Sequence, residues 1–127
     1  MKNEQRSICV FLDIQYFGAY ENGELSFWGP ISSGKKSSGT PTGKFSVIWK
    51  AEKYRSKKYD ADMPFAVNIS NDGYFLHEQS LPGRPASHGC IRLLREDAEK
   101  IYIWIKKNDP IIISSNNSSQ KELFFIN

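Results

Sequence analysis

Short apolar runs alternate with polar punctuation from the start of the chain, the pattern of a β-rich fold. Residues 8–12 and 16–20 are brief apolar or aromatic runs, and Asn22-Gly23 is a two-residue hairpin signal leading into residues 25–31. These segments predict an opening β-meander. Residues 32–43 turn to Gly, Ser, Lys, Thr and Pro, which is loop chemistry. A strand is predicted over 45–50, with Phe45, Val47 and Trp49 on one face. Residues 64–69 and 74–77 predict two more strands joined by Ser70-Asn71-Asp72-Gly73, which places His77 at a strand end. The period then changes. Ala98, Ile101, Tyr102 and Ile105 recur at helical spacing, predicting an amphipathic helix over 95–107. Glu96 and Asp97 near its start and Lys106 and Lys107 at its end suit the macrodipole. Asn108-Asp109-Pro110 stops it, and residues 111–113 read as a buried closing strand. Residues 114–120 read as a flexible tail, with Leu123-Phe124-Phe125-Ile126 able to dock back as a strand.

With 127 residues and no repeat or linker, the chain is expected to be one domain over 1–127, its core at about 8–114 and a tail at 115–127. The 39% hydrophobic and 24% charged content is that of an ordinary globule. No run of 18 apolar residues predicts a membrane span, and the apolar start is cut by Asp13 and Gln15 and lacks a basic leader, so it does not read as a signal peptide. A net charge of +3 is only mildly basic. Between residues 50 and 62, Lys50, Lys53, Arg55, Lys57 and Lys58 interleave with Tyr54 and Tyr59 ahead of Asp60 and Asp62. This stretch fits a solvated surface loop, or a lid gripping an anionic, sugar-containing polymer. It is short and carries acids, which argues against nucleic acid.

The densest chemistry is Ser87-His88-Gly89-Cys90-Ile91-Arg92-Leu93. A thiol is a strong nucleophile as thiolate, and an imidazolium or a helix N-terminus can lower its pKa from about 8.5 to roughly 3.5–7.5. Both histidines of the chain lie within thirteen residues of Cys90. His77 is a candidate general base or imidazolium partner, against the plainer reading of a strand-end histidine satisfied by backbone. His88 is held within about 7 Å of Cys90 between Cα atoms by covalent reach, although the turn at Gly89 decides where its ring points. Gly89 can adopt positive φ, and the Gly89 and Cys90 N–H groups are candidate oxyanion donors. Ser87 either hydrogen-bonds a histidine or makes the turn, and Arg92 is either a structural ion-pair donor or a fork for a substrate carboxylate. His77, His88 and Cys90 could also supply three zinc ligands, but no second cysteine pair or HExxH spacing supports a metal. Cys9 reads as a small apolar core residue, since a disulfide would consume Cys90.

His77 with Leu81-Pro82-Gly83-Arg84-Pro85-Ala86-Ser87-His88-Gly89-Cys90-Ile91-Arg92-Leu93 closely resembles the signature of the L,D-transpeptidase catalytic domain, the YkuD family. Upstream, Ser33-Gly34 and Thr40-Pro41-Thr42-Gly43-Lys44-Phe45 resemble that family's second signature, and the resemblance covers roughly residues 8–114. It implies a mainly-β fold, a sandwich of two mixed sheets with one substantial helix after the nucleophile. It implies peptidoglycan cross-linking without a cofactor. Cys90 attacks the L-centre carbonyl of a tetrapeptide stem, D-alanine leaves, and an amine of a second stem takes the acyl group. Water in that role would make an L,D-carboxypeptidase. The resemblance favours His77 over His88 as base, because other members place Lys or Arg at the position of His88, and it implies capture by carbapenems. Its partners would be donor and acceptor stem peptides, at a periplasmic or cell-wall location, with an export signal removed or another export route; a monomer is the expectation. Two departures stand out: Glu78 follows His77 where many members have Gly, and the connection from His77 to Ser87 is short. A catalytically silent wall-binding module is the alternative from another class; papain-like and NlpC/P60-like peptidases place Cys before His, the reverse of the order here.

Overall fold

Asn22 and Gly23 both take positive φ, 54° and 85°, the turn that matches the twist of two antiparallel strands. A computed structural model describes residues 5–35, 39–84, 87 and 89–115; the expected docking of 123–126, and the tail beyond Ser115, lie outside them. The turn joins β2 (Tyr16–Glu21) to β3 (Glu24–Ser32), and β1 (Arg6–Phe11) precedes them. The expected meander is present. Then follow β4 (Gly43–Ser46), β5 (Trp49–Ala51), β6 (Arg55–Ser56), β7 (Ala61–Asp62), β8 (Ala66–Asn68), β9 (Phe75–Glu78), β10 (Ile91–Leu93), α1 (Arg95–Trp104) and β11 (Pro110–Ser114).

Among the described residues, nine strands run in the order β4-β11-β1-β2-β3-β10-β9-β8-β5, and β6 pairs with β7 in a separate two-stranded sheet. The β3 strand serves two halves, pairing with β2 through Pro30 and with β10 through Ile31 and Ser32. Each half is mixed: β1 lies parallel to β11 and β9 parallel to β10, while the other pairs are antiparallel. The fold is therefore the expected pair of mixed sheets with one helix, curled through a shared strand.

The single strand expected over 45–50 is two. Pairing of β4 with β11 occupies one end of the nine-strand order, and pairing of β5 with β8 occupies the other. Between them Val47 exchanges hydrogen bonds with Asp109 O (3.0 Å) and the Asn108 N–H (2.8 Å), and the Ile48 N–H reaches Asn68 O (2.9 Å). The step from Val47 to Ile48 thus carries the chain between the edges of the curled sheet. Val47 is buried and Trp49 exposed, so they share no face.

The helix also ends earlier than its periodicity suggests. Ile105 is extended, and the Lys106 N–H is captured by Asp109 Oδ2 (2.8 Å). Lys106 and Lys107 lie past the end; Lys50 from β5 instead donates to the Tyr102 and Ile105 carbonyls, the latter at 2.7 Å. A cation still meets the negative helix end, supplied from another strand. Ala98 and Ile101 are buried in the main core with Leu76, Ile91 and Leu93, and α1 packs on β9 and β8. That burial supports the strand carrying His77. Ile101→Ala should lower unfolding free energy by about 2–5 kcal/mol in urea melts at unchanged m; a loss below about 1 kcal/mol would contradict this packing.

Candidate active site

The parallel register sets His77 opposite Arg92, with Leu76 opposite Ile91. Side chains alternate faces along a strand. His77 and Arg92 therefore share one face, and Phe75 at the start of β9 and Cys90, just ahead of β10, cluster together two residues earlier. Leu76, Ile91 and Leu93 point the other way into the main core. Cys90 joins a second, smaller apolar cluster with Met63, Ala66 and Phe75. The two faces of one strand pair separate stability from chemistry.

A cleft of about 230 Å³ opens on that face, lined by Tyr59, Ala61, Met63, His77, Gln79, Ser87, Cys90 and Arg92. His77 Nδ1 lies 2.9 Å from the Glu78 carbonyl oxygen. A carbonyl has no proton, so Nδ1–H must donate, and Nε2 carries the lone pair in the neutral ring. Burial pushes the His77 pKa down; the Glu78 carbonyl opposes this and the Arg92 charge adds to it. Burial likewise pushes the Cys90 thiol up, opposed by a backbone hydrogen bond from Phe75 and by the charges of Lys58 and Arg92. Cys90 Sγ also reaches the Gly73 carbonyl at 3.8 Å, a contact that only the protonated thiol can donate. Burial thus works against the charged form of both groups. Cys9, pushed up to about 11 by burial, is free of disulfide, as is Cys90.

The two upstream and downstream motifs meet in space. Ser87 bridges Gly34: its N–H donates to Ser33 O (3.0 Å) and its carbonyl accepts from the Lys35 N–H (3.0 Å). Thr40 Oγ1 donates to Gly89 O (2.7 Å) and accepts from the Gly34 N–H (2.8 Å). Ser87 Oγ donates to Cys90 O (2.5 Å) and accepts from the Gly89 N–H (3.1 Å). Among the described residues, the Ser87 hydroxyl bonds within its own turn. The Gly89 donor expected for an oxyanion is thus already engaged by Ser87. Gly89 has φ +128°, and a Cβ there would lie 2.5 Å from Tyr74 Cε1; only glycine fits. His88 lies outside the described residues.

The sequence matches the YkuD family, described as the L,D-transpeptidase catalytic domain, over residues 5–113. The chain belongs to the L,D-transpeptidase catalytic-domain family. A curated relative, "Probable L,D-transpeptidase 3" of Mycobacterium tuberculosis, is 31% identical over 101 residues, covering 66% of this chain and 37% of that protein. An L,D-transpeptidase crystal structure from Stackebrandtia nassauensis superposes with a TM-score of 0.82 at 28% identity, covering 91% of this chain and 58% of that one. L,D-transpeptidase 3 from Mycobacterium tuberculosis, solved with a faropenem-derived adduct, has a TM-score of 0.79 at 24% identity, over 89% of this chain and 61% of that one. The chain thus spans well under two thirds of these proteins.

Within this family member, the sequence-selected His77, Ser87, Cys90 and Arg92 all line one cleft. The 50–62 stretch forms the β6–β7 hairpin and brings Tyr59 and Ala61 to the same cleft. Reasoning from sequence missed Tyr74, Met63 and Gln79, whose placement depends on the register; Thr40 stood within the upstream signature, which gave no hint that it contacts Gly89. Among the described residues no cluster of three His, Cys, Asp or Glu side chains could hold a metal, and no helix is long and apolar enough to cross a membrane. Because the thiol is pushed up and the imidazole down, carbamidomethylation of Cys90 by iodoacetamide should keep rising beyond pH ~8.5, the ordinary thiol value. Peptide mass spectrometry across pH checks this; a plateau from about pH 5 would reveal a resting thiolate–imidazolium pair instead.

Proposed function

We propose that this chain is a peptidoglycan L,D-transpeptidase with Cys90 as nucleophile and His77 as general base. The observation supporting this most directly is the bond between His77 Nδ1 and the Glu78 carbonyl, which leaves Nε2 as the basic nitrogen on the strand beside Cys90. The carbonyl serves the orienting role that a carboxylate plays in other nucleophile–base–orienter triads. It also makes the side chain at position 78 secondary, since the backbone does the orienting.

When a donor stem binds, His77 Nε2 takes the thiol proton as Cys90 Sγ attacks the L-centre carbonyl of the tetrapeptide. The tetrahedral oxyanion takes a hydrogen bond from the Cys90 N–H, with Gly89 joining if Ser87 Oγ turns away. Collapse breaks the bond to D-alanine, whose amine leaves with the proton from His77, and a thioester remains. An amine of a second stem then attacks the thioester, His77 accepts its proton, and the thiol is regenerated with the cross-link formed. Water in place of the amine gives tripeptide by the same route. No step needs a cofactor or metal. Arg92, on the same face as His77, either shapes the site or pairs with a stem carboxylate. A peptidoglycan substrate implies a periplasmic or cell-wall location, and a monomer suffices for these steps. A faropenem-derived adduct in the fold relative named above supports acylation of this chain by β-lactams of the penem and carbapenem classes.

Incubation with disaccharide-tetrapeptide, with and without an acceptor amine, should give an adduct on intact protein that passes to the acceptor as dimer. Cys90→Ala should abolish the adduct with little change in melting. His77→Ala should slow acylation by about 10²–10⁴-fold, the span of general-base catalysis, and His88→Ala by less. Adduct formation in Cys90→Ala, or a larger loss in His88→Ala than in His77→Ala, would refute these assignments; tripeptide without dimer would identify a carboxypeptidase.

A further inference from the structure

We propose that Lys58, on the hairpin connecting β6 and β7, is a positioning residue for the nucleophile: it ties the hairpin to the 70–73 turn and holds a positive charge where the Cys90 thiolate forms. This rests on Cys90 being the nucleophile.

Lys58 Nζ donates to the Asp72 carbonyl at 2.9 Å and lies 5.3 Å from the Tyr59 ring centroid. Its side chain runs along Gly73, where a Cβ would sit 3.6 Å from Lys58 Cδ and 3.7 Å from Nζ. The Gly73 carbonyl in turn receives the Cys90 thiol at 3.8 Å. Lysine, turn and thiol are thus consecutive contacts. Tyr59, next to Lys58, lines both the Cys90 cleft and a neighbouring groove of about 400 Å³ that contains Lys58, Gly73 and Phe75. The hairpin therefore forms the wall between them.

Around the cleft that holds Cys90 stand His77 from β9, Arg92 from β10 and Tyr59 from the hairpin; the Lys58 charge acts on the thiol, Asp72 lies beside Lys58, and Tyr74 lies against Gly89. Both hairpin carboxylates are engaged by Arg55, Asp60 at 2.5 Å and Asp62 at 3.2 Å, so neither neutralises Lys58. The thiol is buried among apolar side chains, which disfavours its anion, and a nearby cation counters that cost. Arg92 is built into the nine-stranded sheet. Lys58 belongs to a hairpin paired only with itself, so its charge arrives at the nucleophile only when the hairpin is seated. Thiolate formation is thereby coupled to the wall of the substrate cleft.

Lys58→Met and Lys58→Arg are compared with wild type for the pH midpoint of Cys90 carbamidomethylation, mapped by peptide mass spectrometry apart from Cys9, with circular dichroism as the folding check. Lys58→Met should raise the midpoint and slow alkylation at neutral pH about three- to tenfold, while Lys58→Arg stays near wild type. High NaCl should raise the wild-type midpoint by more than that of Lys58→Met, which keeps Arg92. A Lys58→Met midpoint equal to wild type, or an equal shift in Lys58→Arg, would overturn the proposal. Alkylation needs no wall substrate: a midpoint shift without any acyl transfer would keep the role of Lys58 and refute the peptidoglycan reading.

Discussion

The parallel pairing of β9 with β10 is the constraint on which the site depends. Adjacent parallel strands need a crossover of a dozen or more residues, usually containing a helix. Here the crossover runs from Gln79 to Cys90, twelve residues, with no helix among its described residues. A connection that short can close only if its return is tightly held. The bridge between Gly34 and Ser87, the Thr40 hydroxyl between two backbone groups and the Ser87 hydroxyl across its own turn supply that hold. The first two tie the segment that follows β3 to the return ahead of β10, and the third fixes that return upon itself.

Burial of His77 and Cys90 follows from the same geometry. His77 and Cys90 are 2% and 4% exposed, so water screens neither, and both are driven towards their neutral forms. Backbone groups meet the sulfur in either state: the Gly73 carbonyl accepts from the thiol, and a Phe75 backbone hydrogen bond favours the anion.

Much of the fold and part of the site were legible in the sequence. Asn22-Gly23 carried its hairpin because φ > 0 at both positions is a local requirement. The helix was legible from Ala98 and Ile101, and the site from the crowding of Cys90, His77 and Ser87 around one turn. What failed was decided at long range. Residues 45–50 alternate like one strand, but the two halves are claimed by opposite sheet edges. Lys106 and Lys107 look like a helix terminus, but Asp109 captures the backbone first and Lys50 arrives from β5. No local pattern could say whether the basic stretch at 50–62 was a plain surface loop or part of the cleft. Its Arg55 pairs make a hairpin, and only the packing of Tyr59 brings it to Cys90.

The pairing of β1 with β11 joins residues 8–11 to residues 111–114, nearly the two extremes of the described chain. During synthesis one edge of β1 stays open until the last of these strands leaves the ribosome, and the β4 edge has no partner before then. Contact order is correspondingly high, which favours slow folding. In that interval an unpaired strand bearing Ile8 and Val10 is an aggregation hazard. Among the described strands, the last to be made is thus the one that closes the sheet.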